Sequence, residues 1–265
     1  MIALETYDRK TIEAICSDSR IEGAVLGDLY CDYRMFENGG HELPEYAEML
    51  KSAGKKVWLQ TTAYIPDSIF SDRLRMLRYH AERGTVDAVL IQDPGFLKAA
   101  AAACPEVTKI WGYLGIARNH ADNLLRYDYL MSVSDIFVAS DIMEHADFME
   151  KHGVPTVAMY GCPSFSTVNR ICYYVYEKDL FGKDCSRGCL KGSCHLKAEQ
   201  FGLDMSIDGY MLGKKYNYRD ASAVISHARK YGRTILIYAD SLDSCLARLA
   251  ALEECDEDIR SDTRL

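Results

Sequence analysis

Only 6 prolines occur in this chain of 265 residues, and they do not gather into the Pro- and Gly-rich stretches that mark linkers. Long apolar runs are missing as well. The opening MIALETYDRKTIEAI turns charged within five residues. Neither a signal peptide nor a membrane-spanning helix is expected, and the expected compartment is the cytoplasm. An excess of positive charge is also lacking: 31 Lys and Arg face 39 Asp and Glu, for a net charge of −8. That balance repels phosphate backbones and anionic membranes, so neither is the expected partner. The short basic clusters SRGCLKG and GKKYNYR read as solvated surface. No G-x-S-x-G and no H-E-x-x-H occurs, which removes support for a serine-hydrolase elbow or a zincin helix.

What is present is a recurring apolar run rich in β-branched and aromatic residues. It appears as IEGAVLG, KKVWLQTT, VDAVLIQD, TKIWGYLG, SDIFVAS, PTVAMYG and TILIYA, with MIALETY and GLDMSIDGYM as weaker members. Between the runs lie amphipathic segments such as ELPEYAEMLKSAG, SDRLRMLRYHAERG and DIMEHADFMEKHG, each ending in the glycine that a helix C-terminus favours. Near-continuous apolar strands alternating with helices predict a parallel sheet covered on its outside. Eight or nine such strands predict a (β/α)8-like, TIM-type barrel. One domain is expected over 1–250, followed by a charged tail, 251–265, that should fray. The alternation fails over 162–203, where Cys, Gly, Lys and Tyr follow no clear period. This cysteine-rich insert is expected at the C-terminal face of the strands.

Ten cysteines in a reducing compartment are poor material for a disulfide framework. Cys16, Cys104, Cys245 and Cys255 lie in helical or tail segments and read as small buried hydrophobes. Cys172, Cys185 and Cys189 form a C-x12-C-x3-C pattern in a polar segment, which packing does not explain and which points to metal. The spacing matches neither a zinc-finger pair nor a common ferredoxin run, so zinc and an iron-sulfur cluster both stay open. A fourth ligand would come from Cys162, Cys194 or Cys31, the last standing just after a predicted strand. Candidate acid/base groups at the same barrel face are Asp93, Asp28 and His120, against the blander reading of each as a helix cap or surface group.

The succession EGAVLGDLYCDYR, LPEYAEMLKSAGKKVWLQT, VDAVLIQDPGFLKAA, HADFMEKHGVPTVAMYG and the cysteine insert resembles the U-thirty-two (collagenase-like) peptidase family from about Glu22 to Tyr218. Gln92-Asp93-Pro94-Gly95 at the end of a strand is typical of it. Within the family the pattern is most similar to a small iron-sulfur branch that works with a paralogous member in oxygen-independent ubiquinone hydroxylation. The resemblance implies a 4Fe-4S cluster on Cys31, Cys172, Cys185 and Cys189, a hetero-oligomeric partner from the same family, and an aromatic or quinone-like substrate. Where many members carry Ser-Arg-Glu-Leu, this chain has Ser140, Asp141 and Ile142, so chemistry that depends on the Arg and Glu is not implied. The alternatives are a collagenase-like peptidase and a zinc-stapled, non-catalytic binding module.

Overall fold

The computed structural model describes residues 1–27, 42–61, 65, 67–112, 132–133, 136–140, 142–164, 167–168, 194–198, 200, 203–208, 211–212, 215–218 and 220–262. Two compact units emerge, Met1–Cys162 with Tyr218–Leu265, and Pro163–Asn217.

The first unit is a closed barrel of eight parallel strands. These are β1 (Ile2–Leu4), β2 (Gly23–Leu26), β3 (Lys56–Gln60), β4 (Ala88–Ile91), β5 (Thr108–Gly112), β6 (Ile136–Ser140), β7 (Thr156–Tyr160) and β14 (Ile235–Ala239). They pair in chain order, and β1 closes the ring between β2 and β14. Each of the seven strong apolar runs supplies one strand, and MIALETY supplies the eighth. β2, β4 and β7 are buried at every position, as strands covered on both sides must be. The helices are α1 (Arg9–Ser17), α2 (Leu43–Ser52), α3 (Asp67–Glu82), α4 (Pro94–Ala103), α5 (Met143–Lys151), α6 (Ala221–Tyr231) and α7 (Leu242–Asp262). The predicted glycine stops hold: Gly54, Gly84 and Gly153 follow α2, α3 and α5 with positive φ.

Side-chain alternation sorts each barrel strand into two faces. Ile2 and Leu4, Val57 and Leu59, Val89 and Ile91, and Ile237 and Ala239 belong to the core shared with Ile12, Leu50, Leu77, Leu97 and Val224 of the helices. The intervening residues therefore face the interior: Trp58 and Gln60 on β3, Leu90 on β4 with Gln92 just beyond it, Ile110 on β5, and Leu236 and Tyr238 on β14.

Gly161 marks the end of β7, with φ of 81°. A Cβ there would lie 2.4 Å from the Tyr218 ring and 2.6 Å from the Tyr238 carbonyl, so glycine is required on two counts. The tail that was expected to fray instead continues α7 to Asp262. Leu252 is buried, and Arg229 of α6 binds the carbonyl and carboxylate of Asp256. Apolar burial and that ion pair outweigh the charge repulsion on which the expectation rested.

In the second unit, β9 (Thr167–Val168), β10 (Cys194–Ala198), β11 (Leu203–Asp208) and β12 (Met211–Leu212) form an antiparallel sheet in the order β10-β11-β12-β9. β8 (Cys162–Ser164) and β13 (Lys215–Asn217) form a two-stranded sheet. GLDMSIDGYM thus contributes to an antiparallel sheet and not to the barrel. Its sequence explains this: LDMSID alternates apolar and polar, the signature of a strand covered on one face. The unit runs past residue 203, where the insert was expected to end.

Candidate functional site

All eight barrel strands end on one face, and the described residues there include Gln60, Gln92, Asp93, Tyr238 and Asp240. Gln60 and Tyr238 lie on strands that are not neighbours in the ring, yet the Tyr238 hydroxyl donates to Gln60 Oε1 at 2.7 Å. This bond crosses the barrel interior and ties β14 to β3. Gln92 stands one step beyond Leu90, the register partner of Gln60, and so belongs to the next layer towards the mouth. It is 2% exposed, and neither its Oε1 nor its Nε2 has a hydrogen-bond partner among the described residues.

Asp93 lies on the rim, but both its oxygens are engaged. Oδ1 accepts from the Phe96 backbone N–H at 2.9 Å as the N-cap of α4, ahead of Pro94 in the first turn, and Oδ2 accepts from the Ile65 N–H at 3.5 Å. As placed, the carboxylate caps a helix and steadies the segment after β3. Ser140 of β6 closes a turn on itself, its Oγ donating to the Ile142 carbonyl and accepting from the Ile142 N–H. Beside β7 and β14, Tyr218 donates to the Tyr238 carbonyl at 3.3 Å, meets Tyr160 edge to face, and lies under the Arg248 guanidinium at 3.8 Å. Burial pushes the Tyr218 phenol above its ordinary value, against the opposing pull of Arg248.

Asp28, Cys31, His120, Cys172, Cys185 and Cys189 lie outside the described residues. Cys162 and Cys194 fall in β8 and β10. The cysteines read as ordinary packing residues, Cys16, Cys104, Cys245 and Cys255, are free thiols. Cys104 and Cys245 are buried, and desolvation raises both thiols, Cys245 to about 12. No group of His, Cys, Asp and Glu among the described residues is arranged to hold a metal ion.

A second polar cluster occupies the opposite end of the barrel. Thr156 Oγ1 is 2.8 Å from His227 Nε2, and His227 Nδ1 is 2.7 Å from Asp147 Oδ1. The line of hydroxyl, imidazole and carboxylate looks like a nucleophile with its base, but Thr156 is fully buried and its hydroxyl already donates to Glu150 at 2.7 Å. Arg233 in turn binds both oxygens of Glu150, at 2.7 and 2.8 Å. Burial alone would raise the Glu150 carboxyl, yet the hydrogen bonds from Arg233 and Thr156 together hold it below its ordinary value. At the N-terminal face such a network fastens α5, α6 and β7 together.

Sequence reasoning missed Gln60, Tyr238 and the role of Gln92. One signal was available: two consecutive apolar runs, KVWLQ and AVLIQ, each close with glutamine.

The fold defines the protein first as a parallel α/β barrel of the TIM type. Comparison with solved structures then supplies a particular likeness. The structure of the U32 peptidase Mk0906 superposes with a TM-score of 0.53 at 16% identity, covering 91% of this chain and 92% of that one. A glycerol uptake operon antiterminator regulatory protein from Listeria monocytogenes has the same coverages at a TM-score of 0.46 and 10% identity. At such identities the likeness is one of fold. No family model and no curated protein matches the sequence. Among the described residues, no helix is long and apolar enough to cross a membrane.

Proposed function

We propose that the chain is an iron-sulfur protein of the U32 peptidase family, similar to UbiV, that carries out or supports oxygen-independent hydroxylation of an aromatic or quinone-like substrate. A single observation carries the reading: Cys31 together with the C-x12-C-x3-C of Cys172, Cys185 and Cys189. Four thiolates suit a 4Fe-4S cluster, and they would occupy every iron, leaving the cluster to electron transfer or structure. Support comes from the strand ends. β2 stops at Leu26 and β7 at Tyr160, so the chain enters both cysteine-bearing segments from the same rim of the barrel. Further support comes from the fold shared with a U32 peptidase. Packing accounts for Cys16, Cys104, Cys245 and Cys255, and of the remaining six cysteines these four carry the pattern that the resemblance associates with a cluster.

Full coordination of the cluster by protein puts substrate chemistry on other groups or on a paralogous partner. Of the groups described at the mouth, Gln60, Gln92 and Tyr238 are neutral and suited to binding and orienting, while the Asp93 carboxylate serves as a helix cap and that of Asp240 accepts from Ser241. That favours a supporting subunit acting with a partner over a self-sufficient enzyme. Anaerobic purification with iron, sulfide and zinc measured per chain tests the reading. About four irons and a broad absorption band near roughly 400 nm are expected. Serine in place of any one of Cys31, Cys172, Cys185 or Cys189 should strip the iron, whereas Cys16→Ser should not. A colourless protein with about one zinc would instead make the segment a structural staple and the chain a binding module or an undetected hydrolase.

A further inference from the structure

Hydrogens counted through the cluster at the N-terminal end of the barrel reveal a charge that heavy atoms alone do not show. Arg233 binds both oxygens of Glu150, which is held ionised, so this carboxylate can only accept. The contact of 2.7 Å between Thr156 Oγ1 and Glu150 Oε1 therefore uses the single hydroxyl hydrogen of Thr156. With that hydrogen given away, Thr156 Oγ1 can meet His227 Nε2 at 2.8 Å only by accepting, so Nε2 carries a hydrogen. On the other side of the ring, Nδ1 lies 2.7 Å from Asp147 Oδ1. Partial burial would raise the Asp147 carboxyl, but the bond to His227 and the Lys230 ammonium, 3.6 Å away, hold it below its ordinary value, and it too can only accept. Nδ1 then carries a hydrogen as well.

We propose that His227 is an imidazolium in the folded chain at neutral pH, and that its second proton is a latch fastening α6 to α5 and to the foot of β7. The ring is 3% exposed, and the charged or titratable groups described around it are few. α5 supplies Asp147 and Glu150, α6 supplies Lys230 and Tyr231, whose ring centre is 4.9 Å from that of His227, and Arg233 follows α6. β7 offers the Thr156 hydroxyl at this end, and α7 brings Asp256, which Arg229 takes. His80 gives the contrast. It also meets a threonine hydroxyl, but its Nε2 is buried without a partner among the described residues, and burial holds the ring below its ordinary value, so it is neutral. The latch joins Asp147 and Thr156, which precede the second unit in the chain, to His227, which follows it. A neutral imidazole has one N–H, so loss of the proton opens either the Thr156 or the Asp147 contact while Arg233 still holds Glu150. Histidine in an unfolded chain is largely neutral above about pH 6.5; there the folded state holds one proton more, and its stability falls as pH rises until the ring releases it. The latch requires neither a cluster nor a substrate.

Long-range proton–nitrogen NMR of the full chain, labelled with nitrogen-15 and held at pH 7, reads the ring nitrogens directly. His227 should show two protonated nitrogens, and His80 one protonated and one bare. Asp147→Asn, a change at a side chain 35% exposed, identifies the signals and tests the latch together. An asparagine can turn its N–H towards Nδ1, so the His227 pattern should become that of a neutral ring at the same pH while His80 stays as it was. Urea midpoints at pH 7 and at about pH 9 then read the fastening: the wild type should lose more over this interval than Asp147→Asn. A bare nitrogen on His227 in the wild type at pH 7, an Asp147→Asn variant with the wild-type pattern, or equal losses in the two proteins overturns the proposal.

Discussion

Glu150→Ala is the substitution whose cost the structure defines best. The side chain is 5% exposed, and four hydrogen bonds converge on its carboxylate, two from Thr156 and two from Arg233. Truncation strands the buried Thr156 N–H, at about 1–3 kcal/mol for an orphaned donor. It also leaves Arg233, 28% exposed, as a charge only partly able to regain water. Breaking a pair of this kind typically costs about 3–5 kcal/mol, and the better helix propensity of alanine in α5 returns a few tenths. Urea denaturation of the full chain at pH 7 reads the effect, with a constant m-value as the check that only stability has changed. Arg233→Met and the double variant complete a cycle, in which the doubly substituted protein should be less destabilised than the summed singles by about 2 kcal/mol. A loss below about 1 kcal/mol for Glu150→Ala, or additivity within about 0.5 kcal/mol, would refute the reasoning.

Acid titration tests the same carboxylate. Its folded value lies below the ordinary 4.5, so its contribution is complete above about pH 4.5 and is lost as pH falls through the folded value; Glu150→Gln should flatten the stability curve in that acid window. Asp93→Ala should cost about 1 kcal/mol and Asp93→Asn much less, because a cap needs only an acceptor oxygen; an asparagine variant as damaged as the alanine one would contradict a capping role. Gly161→Ala should destabilise by more than the roughly 1–2 kcal/mol of left-handed backbone strain, since the added methyl also meets Tyr218 and the Tyr238 carbonyl. Cys245 should resist iodoacetamide at pH 8 until the chain unfolds, its thiol being buried and raised to about 12; fast native labelling would show that it is reached by solvent.

Much of the barrel was legible because a parallel strand covered on both sides has to be apolar at every position, and runs such as AVLI and TVAMY advertise that directly. β11 was misplaced for the complementary reason: its alternating LDMSID was counted with the continuous runs. Asp93-Pro94 could be read as a cap from the sequence, since Asp before Pro at a helix start satisfies an orphan N–H without competing for it. Gln60 and Gln92 could not be assigned to the interior, because period two separates the faces of a strand without saying which is inside. The pairing of Glu150 with Arg233 joins positions 83 residues apart and leaves no local trace. The helical course of 251–262 was missed because its acidic stretch hides the buried contact at Leu252.

Strands β7 and β14 are neighbours in the barrel, yet the chain leaves one at Tyr160 and enters the other at Ile235, passing through the whole second unit on the way. Each doubling of such an excursion costs only about 0.6 kcal/mol of closure entropy. The barrel is therefore nearly indifferent to the length of this detour. Lineages can lengthen, shorten or replace what hangs there without re-optimising the eight strands. The detour is a position where the architecture tolerates new chemistry cheaply.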